Sequence, residues 1–329
     1  MIDPYQQYPR REDHQSTGRT NSSLRGVAAV TGIAVLFLGC AAYLFAHLHG
    51  KRGLERAVYN LCLINGQAKH DRHDYVGAID DYSMAIAADP IKSLGYIRRG
   101  NAYLALKKDN EALADYSKSL QVLTTPAGVD ELGNLSDTHA QKVAMLPVAR
   151  ANLYHNIGLA YLDQGDFTHA ISAFTATLKL RPRYVDAYSL RVWTYSSMHK
   201  WREALADADT AIRLEPGNVG IRRQRASLYA RMGDPRRGIA EYMLAIQLAP
   251  KDGQTYDECF QTAEYFHLYA YSVACWRTAV KNNPENTKYW VCLGWAQYLN
   301  GQVKESIEAS QKAIDLGNMV KYIGHDDRA

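Results

Sequence analysis

The stretch ANLYHNIGLAYLDQGDFTHAISAFTATLKLRP, Ala151–Pro182, decides how the chain is read. Tyr154, Gly158 and Tyr161 recur at helical spacing, and Phe167, Ala170 and Phe174 follow after Gly165. Residues three and four apart share one face of a helix, so the spacing predicts two amphipathic helices joined at a glycine break. Pro182 ends the second helix, because its ring and missing N–H cannot continue it. Pro182, Pro216, Pro250 and Pro284 stand 34 residues apart, and Pro90 precedes another copy that begins at Ser93. A fixed period of this length marks a repeat array.

Seven copies begin at Tyr59, Ser93, Ala151, Val185, Val219, Gly253 and Thr287. Position 8 is small in Gly66, Gly100, Gly158, Ala226 and Gly294, with departures at Val192 and Phe260. Position 20 is Ala78, Ala112, Ala170, Ala204, Gly238, Ser272 and Ser306. Position 24 is Tyr82, Tyr116, Phe174, Tyr242 and Trp276, with the smaller Ala208 and Ser310 breaking the pattern. Small residues at 8 and 20 let two helices cross closely, and a ring at 24 is expected to fill the space between one pair and the next. Over residues 59–318 the chain resembles the tetratricopeptide repeat family. That resemblance implies an all-α, right-handed α-solenoid of about seven helix pairs.

Composition agrees with stacking rather than with two ordinary domains. The 329 residues carry a net charge of only +4, which gives no basic field for nucleic acid. The 23 tyrosines fall mostly at the aromatic positions of the repeat and are read as core.

Four segments follow. Residues 1–25 form a polar tail too poor in large aliphatics to build a core. The uncharged run Gly26–Ala46, GVAAVTGIAVLFLGCAAYLFA, is long enough to span a bilayer, and residues 26–48 are read as one transmembrane helix. Residues 51–318 are the repeat array, and residues 319–329 a short tail. Phe37-Leu38-Gly39-Cys40 resembles a degenerate lipobox, so an acylated periplasmic lipoprotein is the alternative, although the apolar run continues past Cys40. Ala28 and Gly32 offer a small-xxx-small pair for helix packing. Arginines before the run and basic residues after it balance, so orientation rests on the polar N-terminus staying inside. That places the repeats on the outer side, in a bacterial inner membrane if the host is bacterial.

Between Thr124 and Met145 the period breaks for an insertion, TTPAGVDELGNLSDTHAQKVAM, read as an edge loop before Pro147 opens the next helix. Cys62, Cys259, Cys275 and Cys292 fall on repeat helices, where buried free thiols are ordinary. A disulfide between Cys259 and Cys275, on the two helices of one repeat, stays open.

No HExxH, GxSxG, P-loop or GxGxxG pattern occurs, so no enzyme, cofactor or metal site is expected. His47 and His49 are read as interfacial residues, and His70 and His73 as a solvated turn. Arg222, Arg223, Arg225, Arg231 and Arg236 make the fifth repeat locally basic, as a solvated face or a site for an acidic segment.

In the resembled family, positions 2, 5, 9 and 12 of each repeat face a concave groove. This makes Asn101, Asn152, His155, Trp193, Arg223 and Trp295 the partner-contact candidates, in a groove suited to an extended or helical peptide. Leu63 and Gln67 stand where the lysine and asparagine of a chaperone-tail clamp would be, so that ligand is not expected. The function expected is a membrane-anchored scaffold that docks protein partners, with an accessory subunit of a larger membrane complex as a further alternative.

Overall fold

The computed structural model describes residues 50, 52–132 and 138–326. The apolar run 26–46 lies outside them. Among the described residues no helix is long and apolar enough to cross a membrane. The chain divides into two compact units, Met1–Leu61 and Cys62–Ala329. Of the first, residues 50 and 52–61 are described, the latter as the opening turns of helix α1 (52–71).

The second unit is all helix and turn among its described residues. It runs through α2 (Tyr75–Ala88), α3 (Ser93–Ala105), α4 (Asp109–Val122), α5 (Pro126–Asp130), α6 (His139–Asp163), α7 (Phe167–Leu180), α8 (Val185–Ser197) and α9 (Trp201–Leu214). It continues through α10 (Val219–Arg231), α11 (Pro235–Leu248), α12 (Gly253–Tyr265), α13 (Tyr269–Asn282), α14 (Thr287–Leu299) and α15 (Val303–Asp326). Each helix packs chiefly on its neighbours in sequence, as expected where each pair buries its apolar face on the next.

Small and large positions fit each other inside one repeat. A Cβ added at Gly158 would sit 2.5 Å from the Phe174 ring, at Gly66 2.5 Å from Tyr82, and at Gly100 2.7 Å from Tyr116. The ring at position 24 therefore lies on the backbone at position 8 of its own repeat. It also reaches the next pair as expected, since Tyr116 clusters with Leu153 and Ile157 and Trp276 lies 5.5 Å from Tyr289. One departure obeys the same rule, whereas in the sixth repeat Phe260 at position 8 meets a full-sized Trp276 at position 24, ring to ring at 5.8 Å. Where position 8 is Val192, position 24 shrinks to Ala208, and both are buried. At position 20, a Cβ on Gly238 would come 2.6 Å from the Ala226 carbonyl, so the two helices touch there through backbone.

Two further devices recur. Position 15 takes positive φ in all seven repeats: His73 (62°), Lys107 (58°), Gly165 (76°), His199 (57°), Gly233 (85°), His267 (56°) and Gly301 (76°). This left-handed residue ends the first helix and turns the chain into the second. Position 4 donates to the carbonyl of the proline six residues earlier: Tyr96 to Pro90 (3.2 Å), Tyr188 to Pro182 (3.3 Å), Tyr256 to Pro250 (3.2 Å) and Trp290 to Pro284 (2.7 Å). Arg222 does the same for Pro216 at 2.9 Å. The linker carbonyl is thus satisfied by a ring that also packs.

Three segments depart from the sequence reading. Pro147 does not open a helix; it lies inside α6, whose start is a capping box between Thr138 and Gln141. The insertion is not a plain loop. It holds α5, and Glu131 beyond it accepts hydrogen bonds from the Ser93 (2.6 Å) and Leu94 (2.9 Å) backbone N–H groups, capping α3 across 38 and 37 residues of chain. At the other end α15 continues to Asp326, so residues 319–326 extend the last helix instead of forming a tail.

The candidate docking surface

The six candidate residues lie on first helices of their repeats, but the array already uses several. Asn101 Oδ1 accepts from Tyr116 Oη (2.8 Å) and from Asn156 Nδ2 (2.9 Å), which ties repeat 2 to repeat 3. Asn152 is exposed and its Oδ1 accepts from Arg181 Nη1 at 3.0 Å. His155 is half-buried, 5.0 Å from the Tyr184 ring and 5.9 Å from the Phe174 ring, and its Nδ1 meets no partner. Burial pushes its imidazole below the ordinary range, against the opposing pull of Asp186. Trp193 is half-buried and edge-on to Phe167 at 5.9 Å. Trp295 is exposed and stacked on Tyr298 at 5.8 Å.

Three arginines of the basic cluster of the fifth repeat, Arg222, Arg223 and Arg225, are paired with carboxylates of the array and so are not a free basic face. Arg231 and Arg236 are exposed. Arg223 donates to both oxygens of Glu258 (3.0 and 3.2 Å), with Asp252 at 3.5 Å. Arg225 holds Asp209 (2.8 Å) and Glu241 (2.7 Å), and Arg222 lies 3.4 Å from Glu241. Burial raises the Glu258 carboxyl, and Arg223 opposes that rise.

Arg225 belongs to a pattern the sequence reading missed. Arginine at position 7 reaches position 23 of its own repeat and position 25 of the repeat before. Arg99 joins Asp115 (2.8 Å, twice) and Ser83 (3.0 Å). Arg191 joins Asp207 (2.6 and 2.7 Å) and Thr175 (2.9 Å). Both partners are 16 residues away, one ahead and one behind. In the sixth repeat the same two positions, 7 and 23, are Cys259 and Cys275, joined as a disulfide and buried. This corrects their reading as free thiols, whereas Cys62 and Cys292 are free. The residue pair 16 apart was the available signal, but its chemistry changes from repeat to repeat.

With those side chains committed, Leu94, Ile97, Leu104, Leu159, Leu162 and Trp193 remain as large apolar groups at the groove positions of repeats 2–4. All are half-buried. Around the turns, His73 Nδ1 lies 2.8 Å from Tyr75 Oη and His267 Nδ1 2.7 Å from Tyr269 Oη. Among the described residues no group of side chains could hold a metal ion.

Models of the family described as Tetratricopeptide repeat match residues 151–184, 224–252 and 262–318. The chain carries tetratricopeptide repeats. An N-terminal acetyltransferase A complex subunit-like protein of Schizosaccharomyces pombe is 23% identical over 158 residues, 48% of this chain and 23% of that protein. Human Tetratricopeptide repeat protein 6 is 24% identical over 238 residues, 71% of this chain and 41% of that protein. The chain thus spans less than half the length of either relative. A tetratricopeptide repeat protein from Parabacteroides merdae has the same fold, with a TM-score of 0.53 at 17% identity over 79% of this chain and 94% of that one. The match at 151–184 coincides with the repeat that begins at Ala151.

Proposed function

We propose that this protein is a membrane-tethered adaptor, without enzymatic activity, that docks a protein partner along the first-helix face of its tetratricopeptide repeats. One observation carries the reading. Six large apolar side chains at the groove positions of repeats 2–4 stay half-buried, while the rings at position 24 are already packed against position 8. Such groups anchor a partner when it covers them, because desolvated rings and aliphatics dominate interface energies. Trp193 is the central anchor, and an amphipathic helix or extended segment is the partner form that suits a row of this spacing.

The tether is the uncharged run 26–48, whose length matches a bilayer core. The Cys259–Cys275 disulfide supports an outward placement of the repeats, since such bonds persist in oxidising compartments. The test is fractionation followed by proteolysis. The full chain is expected to stay with membranes through high-salt and carbonate washes, and protease added to spheroplasts to digest the repeats. Release by either wash removes the tether, and protected repeats reverse the orientation.

A further inference from the structure

We infer that copies of this protein associate head to tail, the first helix of one copy seating on the last repeat of another as if it opened an eighth repeat. The inference does not rest on the tether or on the partner reading.

The argument comes from comparing equal positions. Position 28 is covered in successive repeats: Leu178 (7% exposed), Ile212 (9%), Ile246 (1%) and Val280 (8%). Its cover comes from the following repeat, because Ile212 clusters with Ile221, and Val280 with Tyr289. The last repeat keeps an isoleucine there, yet Ile314 is 54% exposed. Position 21 behaves alike: Ile239 and Val273 are buried, whereas Ile307 is 66% exposed. A terminal repeat that ends an array in water carries polar residues on its outer face. This one carries the residues of an internal repeat.

The opposite end has the matching surface. Position 3 is buried in each later repeat, as Gly95, Leu153, Ala187, Ile221, Thr255 and Tyr289, but Leu61 is 50% exposed. At position 6, Ile64 is 66% exposed. Internal junctions show what position 6 meets. Gln224 bonds Ser189 (3.1 Å) and Glu258 bonds Arg223 (3.0 Å), both at position 5 of the preceding repeat. Arg98 bonds Gln67, at position 9, at 2.6 Å. The last repeat has Val291 and Trp295 at positions 5 and 9, both more than half exposed. At these three junctions polar meets polar, although position 6 is apolar in Leu190. Between copies apolar would meet apolar, with Ile64 on Val291 and Trp295 and Leu61 on Ile314. The two surfaces differ, so the contact is heterologous and extends into open chains.

The test uses full-length protein in mild detergent, with sedimentation velocity over a concentration series. Wild type is expected to form a ladder of species that lengthens with concentration. Ile64→Glu and Ile314→Glu are each expected to stay single, because one lacks a head and the other a tail. Mixing the two restores one good head and one good tail, so the mixture should give dimers and nothing longer. Wild type that stays single, Ile64→Glu that assembles like wild type (a tail-to-tail contact or another partner surface), or a mixture without dimers overturns the inference. Both side chains face solvent, so helical melting should be unchanged; if either glutamate unfolds the chain, Ile64→Ser and Ile314→Ser are read by the same three outcomes.

Discussion

Arg191 and Asp207 are joined by hydrogen bonds of 2.6 and 2.7 Å at repeat positions 7 and 23, and the Cys259–Cys275 disulfide occupies the same two positions two repeats later. One geometric place between the two helices of a repeat is therefore filled by an ion pair, a covalent bond or, at Ile157 and Ala173, by apolar packing. The repeat specifies a distance there, and several chemistries satisfy it.

Substitution at the ionic version follows. Arg191→Ala leaves Asp207 buried without its partner, which costs about 3 kcal/mol because an uncompensated charge stays out of water. The double variant Arg191→Ile, Asp207→Ala copies the third repeat and should fall within about 1 kcal/mol of wild type, since apolar replacement of a buried pair is often neutral. Urea titration of the three proteins checks this; a double variant as weak as the single one contradicts it.

The covalent version responds to reductant. The cysteines lie 16 residues apart, and closing a loop of that size stabilises by roughly 3 kcal/mol. Reduction should lower the melting temperature, and Cys259→Ala should lower it to the reduced value with no further response to reductant. Thiol titration under denaturing conditions should count three of the five cysteines before reduction and five after it.

Gly158→Ala separates helix propensity from packing. Propensity favours alanine by up to about 1 kcal/mol. The new Cβ would lie 2.5 Å from the buried Phe174 ring, and overpacking of this kind costs about 1–3 kcal/mol. Net destabilisation is expected. Lys107→Gly should do the reverse and stabilise by about 0.5–1 kcal/mol, because Lys107 holds φ at 58° where glycine is unstrained.

His155 sets a pH dependence. Burial depresses its imidazole in the folded state, while the unfolded chain titrates near the ordinary value of about 6.5. The unfolded state then binds more protons as pH falls through that value, so stability declines from about pH 7 toward pH 5. His155→Phe should flatten this part of the stability curve. An unchanged slope would assign the dependence to other groups.

The period was legible because Pro182, Pro216, Pro250 and Pro284 keep one identity at one place, as do the glycines at position 8. The pair at positions 7 and 23 was not, because Arg191–Asp207, Ile157–Ala173 and Cys259–Cys275 share a separation and no residue type. Pro147 misled because proline commonly opens helices, while the capping box at Thr138 and Gln141 was present to be read. Asn101, Asn152 and Arg223 were picked by position alone. Position cannot show that a neighbouring helix already binds the side chain, and here Asn156, Arg181 and Glu258 do so.

The central claim is that the first-helix face around Trp193 holds a protein partner. Its most direct test places a photo-crosslinking phenylalanine analogue at position 193 and, as a control, at Arg213, an exposed residue of the second helix α9. Irradiation of native membranes should give one discrete heteromeric adduct at position 193 and none at 213. Loss of that adduct on Leu159→Glu, with the melting temperature kept, would tie it to the same face. No adduct at 193, or the same adducts at both positions, would contradict the account.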